Sequence, residues 1–379
     1  MPSRLYAGRQ PGRTLTIYLT IMSSENPEFV PLARRVRCAV IGLGMGRHHA
    51  ESFLNCPEAE LVAVVDMRRD RLELFRDKPG AADLGLFTDH KDMLRAVKPD
   101  LVAVALPNCL HKPVTLDALA AGAHVLCEKP MAMTVAEAVA MRDAASAAGL
   151  QLGINFSQRF TPAHRALKDI AASGGLGEVY HGYCSWTRRD GFPGFGGWFG
   201  QKNLSGGGPL IDLGVHRIDL ALWLMGHPEV VSVSGTAHHR IGIPRALKKN
   251  AVFDVEDFAT GLVRFGNGAS LVFEVSWAGH QRQAETRQLR ITGTEGAIEQ
   301  DEESFHHFRR GDAFCTTKID TEKETARNSV QEMVHCVAAG KPFPGTPDQG
   351  IAVQRILDGL YASAATGREV ICGESRNRN

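Results

Sequence analysis

The pattern of apolar and polar residues divides the chain into two regions of different texture. Between residues 36 and 157, continuous apolar runs alternate with stretches of helical periodicity, and the apolar runs include "VRCAVIGLG", "AELVAVVDM", "PDLVAVALPN" and "AHVLCEKP". Unbroken apolar runs of this length are typical of strands buried on both faces of a parallel sheet. Residues 36–157 are therefore predicted to form an α/β domain with a doubly wound parallel sheet.

Beyond about residue 175 the apolar residues recur at every second position instead. Runs such as "GEVYHGYCSWTRR" and "FATGLVRFGNGASLVFEVSW" carry this alternation and are separated by glycine-bearing turns, as in antiparallel strands with one covered face. Two helical stretches, "TARNSVQEMVHCVAAG" and "DQGIAVQRILDGLYASAATG", close the chain. We expect an α+β domain over residues 158–379 with a large, open, mainly antiparallel sheet. Its last helix and strand are expected to pack back on the first domain.

Length, composition and net charge limit the classes of molecule that the protein is expected to bind. The 379 residues exceed what one core usually serves, and a net charge of +1 argues against nucleic acid or an anionic membrane as a partner. The eight cysteines form no C-x-x-C pair, so we expect buried thiols in a reducing cytoplasm. In residues 1–35, the mixed run "TLTIYLTIM" is too short and Thr-rich to span a membrane. We predict a disordered leader there, with a secretion signal as the alternative.

The first strand ends in a glycine-rich turn, "GLGMG", that predicts a phosphate-binding site. Gly42 permits the tight turn, and Gly44 lets the backbone approach a pyrophosphate at the start of the next helix, beside Met45. The third glycine of the G-x-G-x-x-G pattern is absent, because that position is Arg47 and Gly46 comes one residue early. The turn alone is therefore a weak signal for a Rossmann dinucleotide site.

The second strand ends in an acid that strengthens this interpretation. Asp66 lies about 20 residues beyond the glycines, where a carboxylate hydrogen-bonds the adenosine ribose. A carboxylate there repels a 2′-phosphate, which favours NAD over NADP. Arg68 weakens that preference, so NADP remains an alternative.

Three polar clusters follow later strands of the same domain. Ligands bind beyond the carboxyl ends of such strands, so these clusters are expected to converge on the nicotinamide half of the dinucleotide. They are Leu106, Pro107 and Asn108 with His111, then Glu128 and Lys129 with Pro130, and then Asn155 with Gln158 and Arg159. Asn108 and His111 have a second interpretation, as caps of the helix that follows.

The segment "GGGPLIDLGVHRIDL", residues 206–220, places polar residues in an otherwise apolar helix. Asp212 and His216 are four residues apart and therefore neighbours on one helical face, and Asp219 lies one turn further on. The three glycines allow the backbone to approach a cleft closely. Asp219 is expected to be structural.

The chain resembles the Gfo/Idh/MocA oxidoreductases in three motifs that follow one another in the same order. These are the glycine turn, the sequence E-K-P at the end of a later strand, and the pattern G-G-G-x-x-x-D-x-G-x-H-x-x-D. The resemblance covers nearly the whole chain from residue 36. It implies that the chain is an NAD(P)-dependent dehydrogenase acting on a sugar, polyol or sugar derivative, assembled as a homodimer or homotetramer. It also implies that Lys129, Asp212 and His216 form the catalytic group.

Chemistry supports the same three residues. Oxidation of a secondary alcohol needs a base for the hydroxyl proton, and histidine is suited to that role near neutral pH. Our hypothesis is that His216 accepts the proton and Lys129 stabilises the negative charge that develops on the oxygen. Asp212 would orient either His216 or Lys129.

The loop "TRRDGFPGFGGWFGQKNLSGGG" and the preceding strand supply candidate substrate contacts. Trp186 and Trp198 offer flat faces suited to sugar rings, and Arg188 offers hydrogen-bonding charge. Adjacent histidine pairs such as 48–49 point to different faces, so no metal site is predicted. Two other functions remain open: an NAD-dependent glycosidase that oxidises its substrate transiently, and a non-catalytic dinucleotide sensor.

Overall fold

A computed structural model describes residues 15–20, 34–76, 78, 83–310, 314–320 and 326–372. Its strands are β1 (Leu15–Thr20), β2 (Val36–Ile41), β3 (Ala59–Val65), β4 (Gly85–Phe87), β5 (Leu101–Val104), β6 (His124–Cys127), β7 (Leu152–Ile154), β8 (Val179–Arg188), β9 (Val230–His238), β10 (Phe258–Phe265), β11 (Ser270–Ser276), β12 (Glu285–Gly293), β13 (Gly296–Asp301), β14 (Ser304–Arg310), β15 (Phe314–Asp320) and β16 (Val370–Ile371).

The α-helices are α1 (Gly46–Leu54), α2 (Arg69–Arg76), α3 (His90–Val97), α4 (His111–Ala120), α5 (Val135–Ala148), α6 (Pro162–Ala172), α7 (Lys202–Ser205), α8 (Val215–Leu224), α9 (Gly242–Lys248), α10 (Ser329–Ala339) and α11 (Pro347–Thr366). Side-chain caps define several of the boundaries. Thr134 caps α5, and Asn328 and Thr346 form capping boxes at the starts of α10 and α11. These three helices each end at a glycine in the left-handed conformation.

The first domain contains the predicted doubly wound sheet. Its six strands are ordered β4-β3-β2-β5-β6-β7, and every neighbouring pair is parallel. Strands β2 and β5 are central, and β5 is buried along its whole length. The carboxyl ends of β2, β5 and β6 therefore meet at one edge of the sheet, where the glycine turn and two of the polar clusters lie.

The second domain contains a ten-stranded sheet in the order β1-β15-β14-β13-β12-β8-β11-β10-β9-β16. Two pairs, β1 with β15 and β8 with β11, are parallel, and the other pairs are antiparallel. The prediction of a large, mainly antiparallel sheet is confirmed. Helix α8 packs on β8, β11 and β12, so the segment with Asp212 and His216 lies against this sheet and faces the first domain.

The C-terminal elements divide between the two domains. Val330, Met333 and Val334 of α10, the helix before the last, share a hydrophobic cluster with Val36 and Val40 of β2, so α10 packs on the first domain. Strand β16 instead pairs with β9, at the edge of the second sheet. Helix α11 packs on α5 and on β9, and so links the two domains.

The leader differs from the prediction over residues 15–20. That stretch forms β1, a strand parallel to β15 at the edge of the second sheet, where a disordered segment was expected. Backbone pairing with an edge strand accounts for this difference. Residues 1–14 and 21–33 lie outside the described part of the chain. None of the described helices is long and apolar enough to cross a membrane.

Candidate active site

The glycine turn after β2 has the geometry that a phosphate cradle requires. Gly42 has a φ of +92°, and a Cβ on it would lie 2.3 Å from the carbonyl oxygen of Ala105. A Cβ on Gly46 would lie 2.8 Å from Val40 Cγ1, so Gly46 allows α1 to pack closely on β2. That is the task of the third glycine in the standard pattern. Gly46 therefore compensates for Arg47.

Asp66 is fixed at the end of β3 by the glycine turn and the start of α2. Its Oδ2 accepts hydrogen bonds from Leu43 N (2.8 Å) and Arg71 Nη1 (3.1 Å), and its Oδ1 accepts one from Arg68 N (2.9 Å). The Arg68 guanidinium turns away and pairs with Asp70. Arg71, which the sequence pattern did not single out, is therefore the guanidinium in contact with the predicted ribose-binding acid.

A cleft of about 570 Å³ runs from Asp66 to the glycine segment. The predicted residues that line it are Gly42, Gly44, Met45, Asp66, Arg68, Leu106, Pro107, Asn108, Glu128, Lys129, Pro130, Trp198 and Asp212. Lining residues that were not predicted are Met67, Arg71, Ala105, Leu110, Phe199, Gly207 and Ile211. One continuous cavity thus joins the glycine turn to two members of the expected catalytic group.

The Glu128 carboxylate lies at the end of β6 and is held from two sides. His49 Nε2 lies 2.8 Å from Glu128 Oε1, and Asn155 Nδ2 donates to the same oxygen at 2.7 Å. Burial acts to raise the pKa of Glu128, but the hydrogen bond and charge of His49, with the charge of Lys129, outweigh it and lower the pKa to about 2. Glu128 is therefore a fixed anion next to Lys129.

Among the predicted cofactor residues, His111, Gln158 and Arg159 lie outside the cleft, as do Gly46 and Asn155. His111 is fully buried, and its ring nitrogens lie 2.8 and 2.9 Å from the carbonyl oxygens of Pro130 and Leu106. It joins the loops that follow β5 and β6, and its ring has no surface for a ligand. The Gln158 side chain accepts a hydrogen bond from Arg217.

Arg159 is the third of these residues and is 2% exposed. Its guanidinium donates to both oxygens of Asp219, at 2.9 and 2.5 Å, and to Pro344 O and Gln349 Oε1. These contacts occupy the guanidinium inside the protein, so a direct role in cofactor binding is withdrawn. Asp219 is the buried structural partner that the sequence favoured.

The glycine-rich segment is anchored by a buried carboxylate that lies just before the start of β10. Glu256 is 1% exposed, and its oxygens accept hydrogen bonds from Gly208 N (2.9 Å), Leu210 N (3.1 Å) and the Tyr361 hydroxyl (3.0 Å). A Cβ on Gly207 would lie 1.8 Å from the Tyr361 oxygen, and one on Gly208 would lie 2.0 Å from Glu256 O. The glycines are therefore required for this close packing.

The helix that begins here is not a simple α-helix. Residues Leu210–Gly214 form a single π-helical turn, and α8 follows from Val215. Such turns are frequent at functional sites because they re-aim one side chain relative to the next turn. The sequence pattern predicted an uninterrupted α-helix, in which Asp212 and His216 would be stacked neighbours.

Asp212 contacts Lys129 in this arrangement. Lys129 Nζ donates to the backbone oxygen of Asp212 at 3.0 Å and to its Oδ1 at 3.4 Å, and Trp277 Nε1 donates to its Oδ2 at 3.1 Å. Burial acts to raise the pKa of Asp212, but the Lys129 charge and the Trp277 hydrogen bond outweigh it, so the pKa is lowered. Asp212 is thus an ionised group that positions the lysine.

His216 lies beside this pair at the start of α8. Burial and the charge of Lys129 lower its pKa to about 3, so the imidazole is neutral near pH 7. Its Nδ1 has no hydrogen-bond partner among the described residues, and its ring lies 5.9 Å from the Trp186 ring. Packing against the indole therefore orients the imidazole.

The predicted substrate residues occupy two places. Trp198 stacks on Phe199 at 3.9 Å and lines the cleft. Trp186 lies beside His216, and the guanidiniums of Arg287 and Arg188 lie over the indole at 4.7 and 5.8 Å. The indole is thus in contact with cations, where a face free for sugar stacking was expected. Within the described residues, no group of three or more His, Cys, Asp or Glu side chains could hold a metal ion.

Comparisons with known proteins agree with this geometry. Residues 36–156 match the model of the GFO_IDH_MocA oxidoreductase family with an NAD-binding Rossmann fold, and residues 164–299 match the GFO/IDH/MocA C-terminal domain. The chain is 34% identical to D-glucoside 3-dehydrogenase of Escherichia coli (strain K12) over 343 residues, which cover 88% of this chain and 97% of that protein.

It is also 30% identical to scyllo-inositol 2-dehydrogenase (NAD(+)) of Bacillus subtilis (strain 168), across 70% of this chain and 74% of that one. Among solved structures, GenD2 from gentamicin A biosynthesis in complex with NAD superposes with a TM-score of 0.76 at 27% identity, covering 93% of this chain and all of that chain. The family models together match more than half of the chain. The protein therefore belongs to the Gfo/Idh/MocA oxidoreductase family.

Proposed function

We propose that this protein is a dehydrogenase that moves a hydride between the nicotinamide of NAD and a secondary alcohol carbon of a sugar or polyol. The observation that carries the proposal is the placement of Lys129 and Asp212 on the same cleft as the glycine turn and Asp66, with His216 adjacent. Relatives named as glucoside and inositol dehydrogenases support the substrate class.

The residues of the cleft fit a dinucleotide. The Gly42 turn leaves no room for a side chain, the amides at the start of α1 point toward the cleft, and the Asp66 carboxylate is fixed for ribose hydroxyls. When bound, NAD supplies the hydride acceptor. The negative charge of Asp66 favours NAD over NADP, and Arg71 partly offsets that charge.

The side chains of the chain carry the proton chemistry. His216, neutral and beside the cleft, accepts the hydroxyl proton of the substrate, and general-base help of this kind contributes about 10² to 10⁴ in rate. Lys129 directs its ammonium at the same oxygen and stabilises the developing negative charge. Asp212 contacts Lys129 through Oδ1 and its backbone oxygen, which supports an orienting role toward the lysine.

The test is NADH formation at 340 nm with NAD and NADP against inositols, aldoses, methyl glycosides and anhydrosugars. We expect His216→Asn and Lys129→Met to lower kcat at least 100-fold while the Kd for NADH changes less than threefold. His238→Asn, a matched change on β9, is the control. Wild-type turnover in both site variants would refute the residue roles.

The same assay separates the other functions. Tightly held NAD with release of the aglycone but no net NADH would indicate the glycosidase. Tight NADH binding with no turnover of any sugar would indicate the sensor.

We also propose a homo-oligomer in a reducing cytoplasm. Tyr183, Val272 and Leu262 form a cross-strand row of half-buried apolar residues on the face of the second sheet turned away from α8. The seven cysteines whose side chains the structure describes are free thiols. Light scattering of the purified protein tests the assembly, and a Leu262→Glu variant that stays at the wild-type mass would refute this face as the interface. Cell fractionation tests the compartment.

A further inference from the structure

Four residues on two paired strands, among them the Trp186 that lies beside His216, form a cluster that the proposed reaction does not use. Trp186 with Arg287, and Arg188 with Glu285, are neighbouring cross-strand pairs of β8 and β12. Alternate residues of a strand point to one face, so all four lie on the same face of the sheet. We refer to these four residues as the strand-end cluster.

The position of the cluster relates it to the active site. The next pair on the same face, Cys184 with Leu289, is fully buried in the core beneath α8. The strand-end cluster therefore emerges from beneath the start of α8, where His216 lies 5.9 Å from the Trp186 ring. A sugar whose reacting hydroxyl is at His216 has its more distant substituents within reach of this cluster.

The carboxylate of the cluster is already saturated. Glu285 Oε1 accepts hydrogen bonds from Trp186 Nε1 (2.5 Å) and Arg188 Nε (3.0 Å), and Glu285 Oε2 accepts one from Arg287 Nη2 (2.7 Å). These bonds hold both guanidiniums in place. Glu285 thus orients the two arginines and has little capacity to receive a ligand hydroxyl.

The two arginines of the cluster still have hydrogen-bond donors free for a ligand, and the cluster carries a net positive charge. Two guanidiniums face one carboxylate, and the Nε of Arg287 is buried without a hydrogen-bond partner in the described part of the chain. The charged side chains are 29 to 37% exposed, so a ligand can reach them. Planar guanidinium groups fixed in this way match carboxylate and phosphoryl oxygens.

We propose that the strand-end cluster binds an anionic group, a carboxylate or a phosphoryl, on the part of the substrate beyond the oxidised carbon. This inference rests on the proposed dehydrogenase function and names the substrate class more closely: an anionic sugar derivative. Arg287 and Arg188 contact the anion, and Glu285 is a positioning residue for both.

The experiment compares sugars that share a ring but differ in charge. The probes are methyl β-D-glucopyranoside, which is neutral, methyl β-D-glucopyranosiduronate, which carries a carboxylate, and glucose 1-phosphate, which carries a phosphoryl group. We expect wild-type kcat/KM for one anionic probe to exceed that for the neutral probe at least tenfold. The probe that is preferred tells which of the two anions the cluster takes.

Substitutions then assign that preference to the cluster. Arg287→Met should erase the anionic-to-neutral ratio, a loss of about 10- to 100-fold, because charge-assisted hydrogen bonds are removed. Arg287→Lys keeps the charge without the planar fork and should restore part of the ratio. Arg189→Met, an equal charge change at the exposed neighbour of Arg188, should leave the ratio unchanged.

The outcomes separate this inference from the proposed function. Two results would overturn the inference and leave the dehydrogenase function standing. One is a wild-type kcat/KM for the neutral sugar at least as high as for both anionic sugars. The other is an anionic-to-neutral ratio of kcat/KM that Arg287→Met does not change. If wild type oxidises none of the sugars, the function fails, and calorimetric titration of the NADH complex decides the inference. Binding of an anionic probe that Arg287→Met abolishes supports it, and no binding of either anionic probe refutes it.

Discussion

Gly208→Ala is the substitution that most directly tests how the catalytic segment is held. A Cβ at this position would lie 2.0 Å from the backbone oxygen of Glu256 and 3.2 Å from its side-chain Cδ. The atom it meets first is backbone, which has no alternative rotamer. Either residues 207–210 or the backbone at Glu256 must therefore move by more than about 1 Å to reach ordinary van der Waals contact.

The free-energy cost follows from the contacts that such a movement breaks. Overpacking of a core commonly costs about 1 to 3 kcal/mol. The same movement weakens the hydrogen bonds from Gly208 N and Leu210 N to the Glu256 carboxylate, and bonds to charged groups contribute about 1.5 to 3 kcal/mol each. We expect the free energy of unfolding to fall by at least about 3 kcal/mol, a large fraction of the stability of a typical domain.

Catalysis should be affected more than cofactor binding. Asp212 N donates to Gly208 O at 3.0 Å, so a displaced Gly208 carries Asp212 and the Lys129 contact with it. Misplacement of a catalytic group by about 1 Å can cost about 100-fold in rate. The glycine turn and Asp66 lie in the other domain, so the Kd for NADH should change less than threefold.

The measurements are urea unfolding, kcat with the preferred sugar, and NADH titration by fluorescence. Gly197→Ala is the matched control, because its Cβ would meet nothing within 4 Å and its φ of −77° suits alanine. If Gly208→Ala unfolds within about 0.5 kcal/mol of wild type and retains full kcat, the anchoring role of Glu256 is wrong.

Three further predictions concern charge and pH. Asp66→Asn removes the charge that repels a 2′-phosphate, so the NADP to NAD ratio of kcat/KM should rise roughly tenfold, and an unchanged ratio would contradict that role. Because the pKa of His216 is about 3, the pH profile of kcat/KM should lack an acidic limb near pH 6.5, and a limb there that His216→Asn abolishes would contradict this. Burial, with the charge of Arg217, lowers the pKa of His164 to about 4, so the unfolded chain binds the proton first as pH falls below 6.5. Stability should drop by about 1.4 kcal/mol per pH unit from this group between pH 6.5 and 4, and His164→Gln should remove that part in urea unfolding at each pH.

Much of the cofactor domain could be predicted from the sequence because its signals are local. Gly42 is required by a backbone conformation within its own turn, and Asp66 is recognisable as the residue that directly follows an apolar strand. Both sheets could be predicted from the pattern of apolar residues along each strand. A strand buried on two faces is apolar throughout, and a strand buried on one face is apolar at every second residue. Arg71 could also be recognised from the sequence, as a cation in the first turn of α2 and five residues beyond Asp66. Charged residues in the first turns of helices are too common, however, for it to stand out.

The support of the catalytic group could not be predicted, because it comes from residues distant in sequence. Glu256 and Trp277 hold the segment around Asp212 from 46 to 65 positions away. His111 and Arg159 were predicted as cofactor residues because each is a polar residue at a strand end. Only the folded chain shows that two carbonyl oxygens occupy the ring nitrogens of His111 and that Asp219 occupies the guanidinium of Arg159. A polar residue beside a predicted cleft therefore becomes a candidate ligand-binding group only if its partners leave atoms free.

The contacts between the two domains explain why the cofactor and the proton-transfer group are positioned together. Asn108 Nδ2, at the end of β5, donates to Ser205 O just before the glycines, and Lys129 Nζ, at the end of β6, donates to Asp212 O just after them. His111 in turn joins the two strand-end loops that carry Asn108 and Lys129. The glycine-rich segment is thus held on one side by the loops that line the cofactor cleft and on the other by Glu256 of the substrate domain. The Glu256 contacts hold the segment that carries Asp212 and His216, and they do not touch the glycine turn or Asp66. A change in them should therefore appear as a loss of kcat before it appears as a loss of NADH affinity.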